Sequence, residues 1–415
     1  MKKLLLLSAV FLFNCSYDNN VSNSIEEYQQ SLVDNGTTGS NVFKLYKNGD
    51  IVYNKVINSN AKGDKDIDEN TIFAIHSMTK TVTTVATMIL HEKELFSLED
   101  PLHKYLPEFK EIKCKGVDGV YPCKNPLKII DLLTHRSGYV YYLDNGENWL
   151  TGTHKSLYPK YISTSRFNNL DDFSKAVAQQ PLEFEPGTMY SYGLNQAILG
   201  RLIEVISGQS FYQVLKDNIF EKLGMSDTKF HLLESERSKL QPLRVNIKPN
   251  SAFNQTEYNL DGYTAALDGY SYRYENKAHF GGEGLVSTMN DFSKFCEMLV
   301  NDGLYRDERI LSSESIDIMT AKYTNGYPDP NEPGVFPDLA GYYMGFTFSV
   351  LENPEVDGTG AGLGSYGWTG YHNTHFWIDP ENKTYGLFMS RAIEFDFSIS
   401  AGLKKASYKA LKQDI

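Results

Sequence analysis

Hydrophobic residues follow two different periods in the first quarter of the chain, and each predicts a different element. Residues 42–57 alternate between apolar and polar positions about Asn48 and Gly49, which predicts a β-hairpin with a two-residue turn. Residues 71–95 place apolar side chains at helical spacing instead. Because residues 81–90 carry no charged side chain, we expect this helix to be buried.

The middle of the chain has a different character from its two ends. From about residue 97 to residue 271, short helical patterns alternate with long polar loops. One helical pattern is predicted to end at Gly138, and another to end at Gly208 with Ile198, Leu202, Val205 and Ile206 on its apolar face. Strand patterns return at residues 342–350, 367–380 and 383–392, and a final helix is predicted at about residues 398–411. We therefore predict an α/β (α+β) fold with one antiparallel sheet built from both chain ends, flanked by helices and interrupted by a mostly helical insertion.

These patterns predict one folded domain over residues 24–415, preceded by a polar tether at residues 15–23. The α/β part of the domain is expected at about residues 24–96 and 281–415. The helical part is expected at about residues 97–280.

Residues 1–14 have the pattern of an export signal, in which two lysines precede an apolar run too short to span a bilayer. The run ends at Leu12-Phe13-Asn14-Cys15, which resembles a loose bacterial lipobox. We expect lipidation of Cys15, with the protein anchored in the bacterial cell envelope on its periplasmic or surface face. Phe13 and Asn14 are larger than the residues of the strict pattern, so simple secretion is the alternative.

Charge and cysteine spacing exclude several classes of function. The formal net charge is −12, and because no basic cluster interrupts it, nucleic acid is not an expected partner. Cys114 and Cys123 bracket a short polar loop and could form a disulfide in an oxidising compartment. Cys296 lies on the apolar side of a helical pattern and is expected to be a buried thiol. No zinc-ligand spacing occurs, so we expect no metal or cofactor.

The buried helix opens with an S-x-x-K motif, Ser77 to Lys80. Residues three apart share a helix face, and a serine hydroxyl needs a neighbouring base to become a nucleophile. A lysine in a desolvated site can accept or relay that proton. The motif can also arise by chance, since Ser59 and Lys62 form a second match in a polar run without helical periodicity.

Two further stretches give the first motif its context. Residues 186–200, PGTMYSYGLNQAILG, contain Tyr192, and residues 365–380, SYGWTGYHNTHFWIDP, contain Trp368. In this order with S-x-x-K, they resemble the three motifs of the serine β-lactamase and penicillin-binding protein superfamily. The resemblance is to class C enzymes and most strongly to family VIII carboxylesterases. It extends from about residue 24 to the C-terminus.

The resemblance implies a role for each matching residue. Ser77 would be the acylated nucleophile, Lys80 would hold and relay its proton, and Tyr192 would be the general base. A tyrosine can act so only where a nearby cation stabilises its phenolate, and Lys80 is the candidate. The oxyanion hole would use the backbone N–H groups of Ser77 and Tyr371. Gly370 would let the strand backbone approach the substrate.

Two departures from the family pattern bear on substrate class. The asparagine of the family's Y-x-N motif is Leu194, with Asn195 one place later. The lysine of K-T-G is Trp368, followed by Thr369 and Gly370, which are expected to bind substrate. Family VIII esterases share this W-x-G, and an indole offers no cation for a substrate carboxylate.

The resulting expectation is an acyl-enzyme serine hydrolase that acts as a carboxylesterase on small neutral esters. One alternative is a peptidase or amidase acting on D-amino-acid peptides, or a weak β-lactamase. The other is a protein without turnover, either a penicillin-binding or sensor module or a cell-envelope interaction protein. The expected partner is a small ester or amide, and the sequence leaves the oligomeric state open.

Other polar residues in these stretches have simpler interpretations. His372 and His375 are three apart on a predicted strand, where they point to opposite faces and cannot chelate together. His372 could instead line the mouth of the pocket. His135 is expected to order a loop through hydrogen bonds. Glu283, in a Gly-rich turn, is expected to be solvated, with a place in the pocket as the alternative.

Overall fold

The computed structural model describes residues 19–141, 167–245, 262–264, 272, 275–324 and 339–412. The predicted export signal and Cys15 lie outside this part of the chain. So do most of residues 251–280, a polar and aromatic stretch whose lack of periodicity predicts a loop. Among the described helices, none is both long enough and apolar enough to cross a membrane.

The strands of the described residues concentrate at the two ends of the chain. They are β1 (Asn41–Lys47), β2 (Asp50–Ile57), β3 (Phe73–Ala74), β4 (Lys113–Gly116), β5 (Gly119–Pro122), β6 (Leu243–Val245), β7 (Gly262–Thr264), β8 (Val286–Ser287), β9 (Leu304–Tyr305), β10 (Glu308–Arg309), β11 (Tyr342–Met344), β12 (Ser349–Leu351), β13 (Tyr366–Gly370), β14 (Thr374–Asp379) and β15 (Thr384–Met389). The seven-stranded sheet has the order β11-β12-β13-β14-β15-β1-β2, and its ladders are antiparallel.

The N-terminal hairpin joins the sheet because its turn chemistry and its apolar faces agree. Asn48 and Gly49 both have positive φ, 52° and 103°, as a turn matched to strand twist requires. On β1, Tyr46 pairs with Tyr385 of β15, and their rings stack with centroids 4.8 Å apart. The predicted sheet built from both chain ends is therefore confirmed.

The helices cover this sheet and fill the middle of the chain. They are α1 (Asn19–Asp34), α2 (Thr79–Glu92), α3 (Ile129–Leu133), α4 (Leu170–Ala178), α5 (Asn195–Ser207), α6 (Phe211–Leu215), α7 (Glu221–Leu223), α8 (Met289–Val300), α9 (Ser313–Thr320), α10 (Pro354–Asp357) and α11 (Ser398–Lys412). Short 3₁₀ turns occupy His76–Met78, Leu102–Lys104, Pro107–Phe109 and Glu234–Lys239, and a π-helical segment, Lys216–Phe220, joins α6 to α7.

The helix α2 is buried along almost its whole length, as its uncharged sequence predicts. Every side chain from Thr79 to Leu90 is buried, and the helix packs against α5, α6 and α9. Most of its threonine hydroxyls bond to nearby backbone, as when Thr83 Oγ1 donates to the carbonyl oxygen of Gly281 at 2.7 Å, and Thr84 bonds to the Thr347 hydroxyl. A helix buried in this way holds its first turn rigidly.

Three local predictions differ from the structure. The helix predicted to run to Gly138 ends as α3 at Leu133, because His135 has a φ of 55° that no helix allows. Val205, assigned to the buried face of α5, is 39% exposed. Residues 342–350 form two antiparallel strands, β11 and β12, rather than one.

The cysteines lie as their spacing suggests. Cys114 and Cys123 form a disulfide across the β4–β5 hairpin. Cys296 on α8 is a buried free thiol.

Candidate active site

Ser77 lies in the 3₁₀ turn that leads directly into α2. The turn is fixed from both sides, since the Met78 N–H donates to the Ile75 carbonyl oxygen at 3.0 Å and β3 pairs with β8 just before it. His76 and Met78 are buried, whereas Ser77 is half-buried. The local fold therefore presents the serine hydroxyl at the edge of a buried helix start.

Lys80 is completely buried one turn after Ser77. Its Nζ donates hydrogen bonds to Ser77 Oγ at 3.2 Å, to the Tyr141 hydroxyl at 3.2 Å and to the Gly282 carbonyl oxygen at 2.6 Å. An ammonium carries three N–H donors, so these partners can satisfy all of them. A Glu283 carboxylate oxygen lies 3.8 Å from the same nitrogen. These contacts offset much of the cost of burying a charge.

Tyr192 lies beside this pair in a buried position. Lys80 Nζ is 4.7 Å from the centroid of its ring, and Trp368 Nε1 donates a hydrogen bond to its hydroxyl oxygen at 3.4 Å. These contacts place a cation beside the Tyr192 ring and a hydrogen-bond donor on its hydroxyl oxygen. The structure thus brings Ser77, Lys80, Tyr192 and Trp368 together, as the motif order implies.

His135 and Gly193 hold the segment that carries Tyr192. The Gly193 N–H donates to His135 Nδ1 at 3.3 Å, and Asn195 Nδ2 lies 2.8 Å from the same atom. A Cβ on Gly193 would lie 2.1 Å from the Tyr139 carbonyl oxygen, so only glycine fits there. Burial, and then the charge of Lys80, lower the pKa of His135 well below its usual value. A neutral His135 therefore orders this loop, as predicted.

Asn195, one place late for the family's Y-x-N motif, has a structural role in the described contacts. It is the first residue of α5, is fully buried and bonds to the Ser137 hydroxyl as well as to His135. Leu194 is the N-cap of the same helix. The amide therefore braces the loop behind Tyr192.

Gly370 ends strand β13 next to the turn that carries Ser77. A Cβ on Gly370 would lie 2.3 Å from the Ile75 carbonyl oxygen and 2.3 Å from Thr374 Oγ1. The protein's own backbone therefore already requires glycine here, and the predicted approach of this strand to the substrate stays a prediction. The half-exposed Thr369 precedes it and Tyr371 follows it. The oxyanion role of Tyr371 stays a prediction.

Two buried histidines connect the turn that carries Ser77 to the end of strand β13. His76 Nε2 and His372 Nδ1 are 3.2 Å apart, and the ring of Tyr371 packs against both. His372 is 1% exposed, so it does not line the pocket mouth as the sequence allowed. His375 lies in β14, also buried, and its burial lowers its pKa to about 3.

Sequence reasoning missed Tyr141 and misplaced Glu283. Glu283 is 8% exposed rather than solvated, and it accepts a hydrogen bond from the Tyr141 hydroxyl at 2.7 Å. The sequence did contain a signal for the burial of Glu283, which is the only charged residue among three glycines. A glycine-rich turn can pack closely against a helix and so bury the side chain that it carries. A Cβ on Gly281 would lie 2.4 Å from the Gln196 carbonyl oxygen.

Metal-binding side chains do not cluster at this site within the described residues. Among the described residues, the group with ligand atoms close enough to share a metal ion is Cys114, Cys123 and Glu185. Both of its sulfur atoms are already bonded in the disulfide. The chemistry available around Ser77 is therefore that of a hydroxyl, an ammonium, a phenol, an indole and a carboxylate.

Comparison with known proteins agrees with this arrangement. The sequence model of the Beta-lactamase family matches residues 25–395. Protein Rv1367c of Mycobacterium tuberculosis is 27% identical over 380 residues, which cover 86% of this chain and 88% of that protein. Esterase EstB of Burkholderia gladioli is 25% identical over 366 residues, covering 85% of each chain.

The same fold occurs in solved structures. EstCE1, described as a hydrolase with promiscuous acyltransferase activity, superposes with a TM-score of 0.74 at 20% identity, over 94% of this chain and 98% of its own. The family match spans nearly all of the described residues and includes Ser77, Lys80, Tyr192 and Trp368. This chain therefore belongs to the beta-lactamase family and is a serine hydrolase of that family.

Proposed function

We propose that this protein is a carboxylesterase that hydrolyses small neutral esters through an acyl-enzyme. The observation that supports this proposal is the place of Trp368. It stands where the family motif has a lysine, it is 3% exposed, and its N–H is directed at the Tyr192 hydroxyl. An indole offers apolar area but no positive charge, so a substrate carboxylate has no partner there.

The proposed reaction uses the contacts around Ser77. The Ser77 hydroxyl attacks the ester carbonyl carbon and gives its proton to the Tyr192 phenolate, while Lys80 donates a hydrogen bond to Ser77 Oγ and lies beside the Tyr192 ring. The backbone N–H groups of Ser77 and Tyr371 stabilise the oxyanion. The intermediate collapses, and the alcohol leaves with the proton from Tyr192. Water then hydrolyses the acyl-enzyme by the same steps and restores Ser77.

Relatives support the reaction class more than the substrate. Esterase EstB carries the activity in its name, and EstCE1 is described as a hydrolase that also transfers acyl groups. The competing functions are hydrolysis of D-amino-acid peptides or β-lactams, and acylation without turnover. Each of these functions predicts a different pattern of activity when an ester, a β-lactam and a D-Ala-D-Ala peptide are compared.

Trp368→Lys is expected to shift specificity towards substrates that carry a carboxylate. The wild type should have a higher kcat/KM for p-nitrophenyl butyrate than for nitrocefin or a D-Ala-D-Ala peptide. In the variant, the ratio should move towards the last two by about tenfold, because a buried cation pairs with their carboxylate. Total activity should fall, since Tyr192 loses the indole N–H. The measurement is kcat/KM for the three substrates.

Trp368→Phe is the matched control, because it removes the N–H donor without adding a charge. It should lower activity and leave the ratio unchanged. A wild type that prefers nitrocefin or the peptide to the ester would refute the esterase proposal. Intact mass spectrometry after substrate addition tests the other alternative, acylation without turnover, because such a protein would carry a stable acyl adduct.

We also propose that the mature protein begins at a lipidated Cys15 and is held to a membrane by that lipid alone. In the native bacterium, Cys15→Ser should move the protein from the membrane fraction to the soluble fraction, because the anchoring thioether cannot form. Ser16→Ala, the neighbouring change, should leave it in the membrane. Membrane retention of Cys15→Ser would contradict the anchor, and an unmodified N-terminal peptide in the wild type would do the same.

A further inference from the structure

The site contains a carboxylate, that of Glu283, for which the reaction above has no use. Glu283 belongs to the turn between Phe280 and Gly284, and its side chain is 10% exposed. One carboxylate oxygen accepts a hydrogen bond from the Tyr141 hydroxyl at 2.7 Å and lies 3.8 Å from Lys80 Nζ. The acid therefore lies against the same ammonium that holds the Ser77 hydroxyl.

The turn holds this charge in a fixed place. Its glycines let the backbone press against α2 and α5, and a Cβ on Gly284 would lie 2.8 Å from the Phe230 ring. The Leu285 N–H donates to Thr79 Oγ1 at 3.1 Å, and the Gly282 carbonyl oxygen accepts from Lys80. The backbone that carries Glu283 is therefore held against α2 and α5, and the Tyr141 hydroxyl holds the carboxylate.

The electrostatic consequence concerns the substrate. The charge of Glu283 already balances that of Lys80, and Trp368 adds none, so the phenolate that the proposed reaction places on Tyr192 leaves the site with a net negative charge. A substrate carboxylate near Ser77 would therefore meet a negative charge in a site with little water, where charge interactions over short distances are strong. A neutral group avoids this repulsion, and a cationic group gains attraction.

We propose that Glu283, held by Tyr141, is a specificity-determining residue that selects neutral and cationic esters and rejects anionic ones. This inference rests on the proposed esterase function and defines the charge of its substrates. It differs from the effect of Trp368, which is the lack of an attraction, because Glu283 supplies a repulsion. Removing the charge of Glu283 should therefore admit anionic esters without any new cation.

The test uses three phenyl butyrates that differ only in the meta substituent of the phenol: trimethylammonium, methoxycarbonyl and carboxylate. Wild-type kcat/KM should decrease in that order. In Glu283→Gln, which keeps an oxygen to accept the Tyr141 hydrogen bond, the ratio of carboxylate ester to methoxycarbonyl ester should rise about tenfold. The ratio of trimethylammonium ester to methoxycarbonyl ester should fall.

Glu297→Gln is the matched control for the overall negative charge. Glu297 is a half-buried glutamate on α8 that lies near Lys44 and Arg306 rather than Lys80. This variant should keep both wild-type ratios. If it shifts them as much as Glu283→Gln does, the selection belongs to the net charge of the protein and the inference is wrong.

The outcomes separate this inference from the esterase proposal. If the wild type hydrolyses none of the three butyrates, the proposed function fails. If it hydrolyses them but Glu283→Gln leaves the ratios unchanged, only the role of Glu283 fails. If Glu283→Gln does not fold, Glu283→Asp and Glu283→Asn can be compared instead, because their side chains have the same length and differ only in charge. The ratios should then differ between Asp and Asn, and equal ratios would overturn the inference.

Discussion

Ser77→Ala is expected to lower kcat/KM for p-nitrophenyl butyrate by at least about 10⁴-fold, because the acyl-enzyme can no longer form. The hydroxyl that it removes is the one that Lys80 Nζ contacts at 3.2 Å at the start of the buried helix α2. Labelling by a fluorophosphonate probe should disappear with activity. The alanine variant should fold normally, since Ser77 is only half-buried.

Ser59→Ala is the control, since Ser59 and Lys62 form the second S-x-x-K of the chain. In the structure, the Ser59 hydroxyl bonds to the carboxylate of Asp64 and lies 3.2 Å from the Tyr263 hydroxyl, so its described role is in a loop. This variant should keep both activity and labelling. Labelling that survives Ser77→Ala, or is lost in folded Ser59→Ala, would mean that the nucleophile is a different residue.

Removing Lys80 and Tyr192 together is expected to cost little more than removing either one. Each single variant, Lys80→Met or Tyr192→Phe, should lose about 10³-fold in kcat, because the two side chains serve one proton transfer. The structure supports a single unit: the ammonium lies 4.7 Å from the centre of the tyrosine ring and also binds the Ser77 hydroxyl. The measurement is kcat for the two single variants and the double variant.

Tyr192→Phe is the cleaner of the two changes, because it keeps the ring that packs against His135 and Trp368. Lys80→Met leaves Glu283 buried without its counter-charge, so its thermal unfolding must be measured alongside its activity. A double variant whose loss equals the product of the two single losses would show that the residues act independently.

Much of the sheet and of the site was accessible to sequence reasoning. The hairpin at Asn48 and Gly49, the buried helix after Ser77 and the stop of α5 at Gly208 all depend on residues close together in the chain. Local periodicity and turn chemistry record such elements directly. The motif residues lie far apart in the chain, and they could be assigned because their order and spacing match the motifs of the beta-lactamase family.

The errors share a physical cause, which is that burial is decided by distant parts of the chain. The pattern of α5 gave Val205 the same weight as Ile198, yet the packing partners leave the first 39% exposed and the second fully buried. Gly370 shows the same dependence on distant residues. Its predicted approach to the substrate stays a prediction, and the structure adds a second reason for glycine, the nearby Ile75 carbonyl oxygen, which is far away in sequence.

The sequence by itself determined the N-terminal hairpin, the buried helix, the sheet from both chain ends and the candidates Ser77, Lys80, Tyr192 and Trp368, because period, turn residues and motifs can be recognised without the fold. Only the tertiary structure decided how the charge of Lys80 is balanced. Its partners Tyr141 and Gly282 lie 61 and 202 residues away, and Glu283 comes with the latter. No local pattern distinguishes such a buried carboxylate from a solvated one, since its ionic partner is chosen by folding.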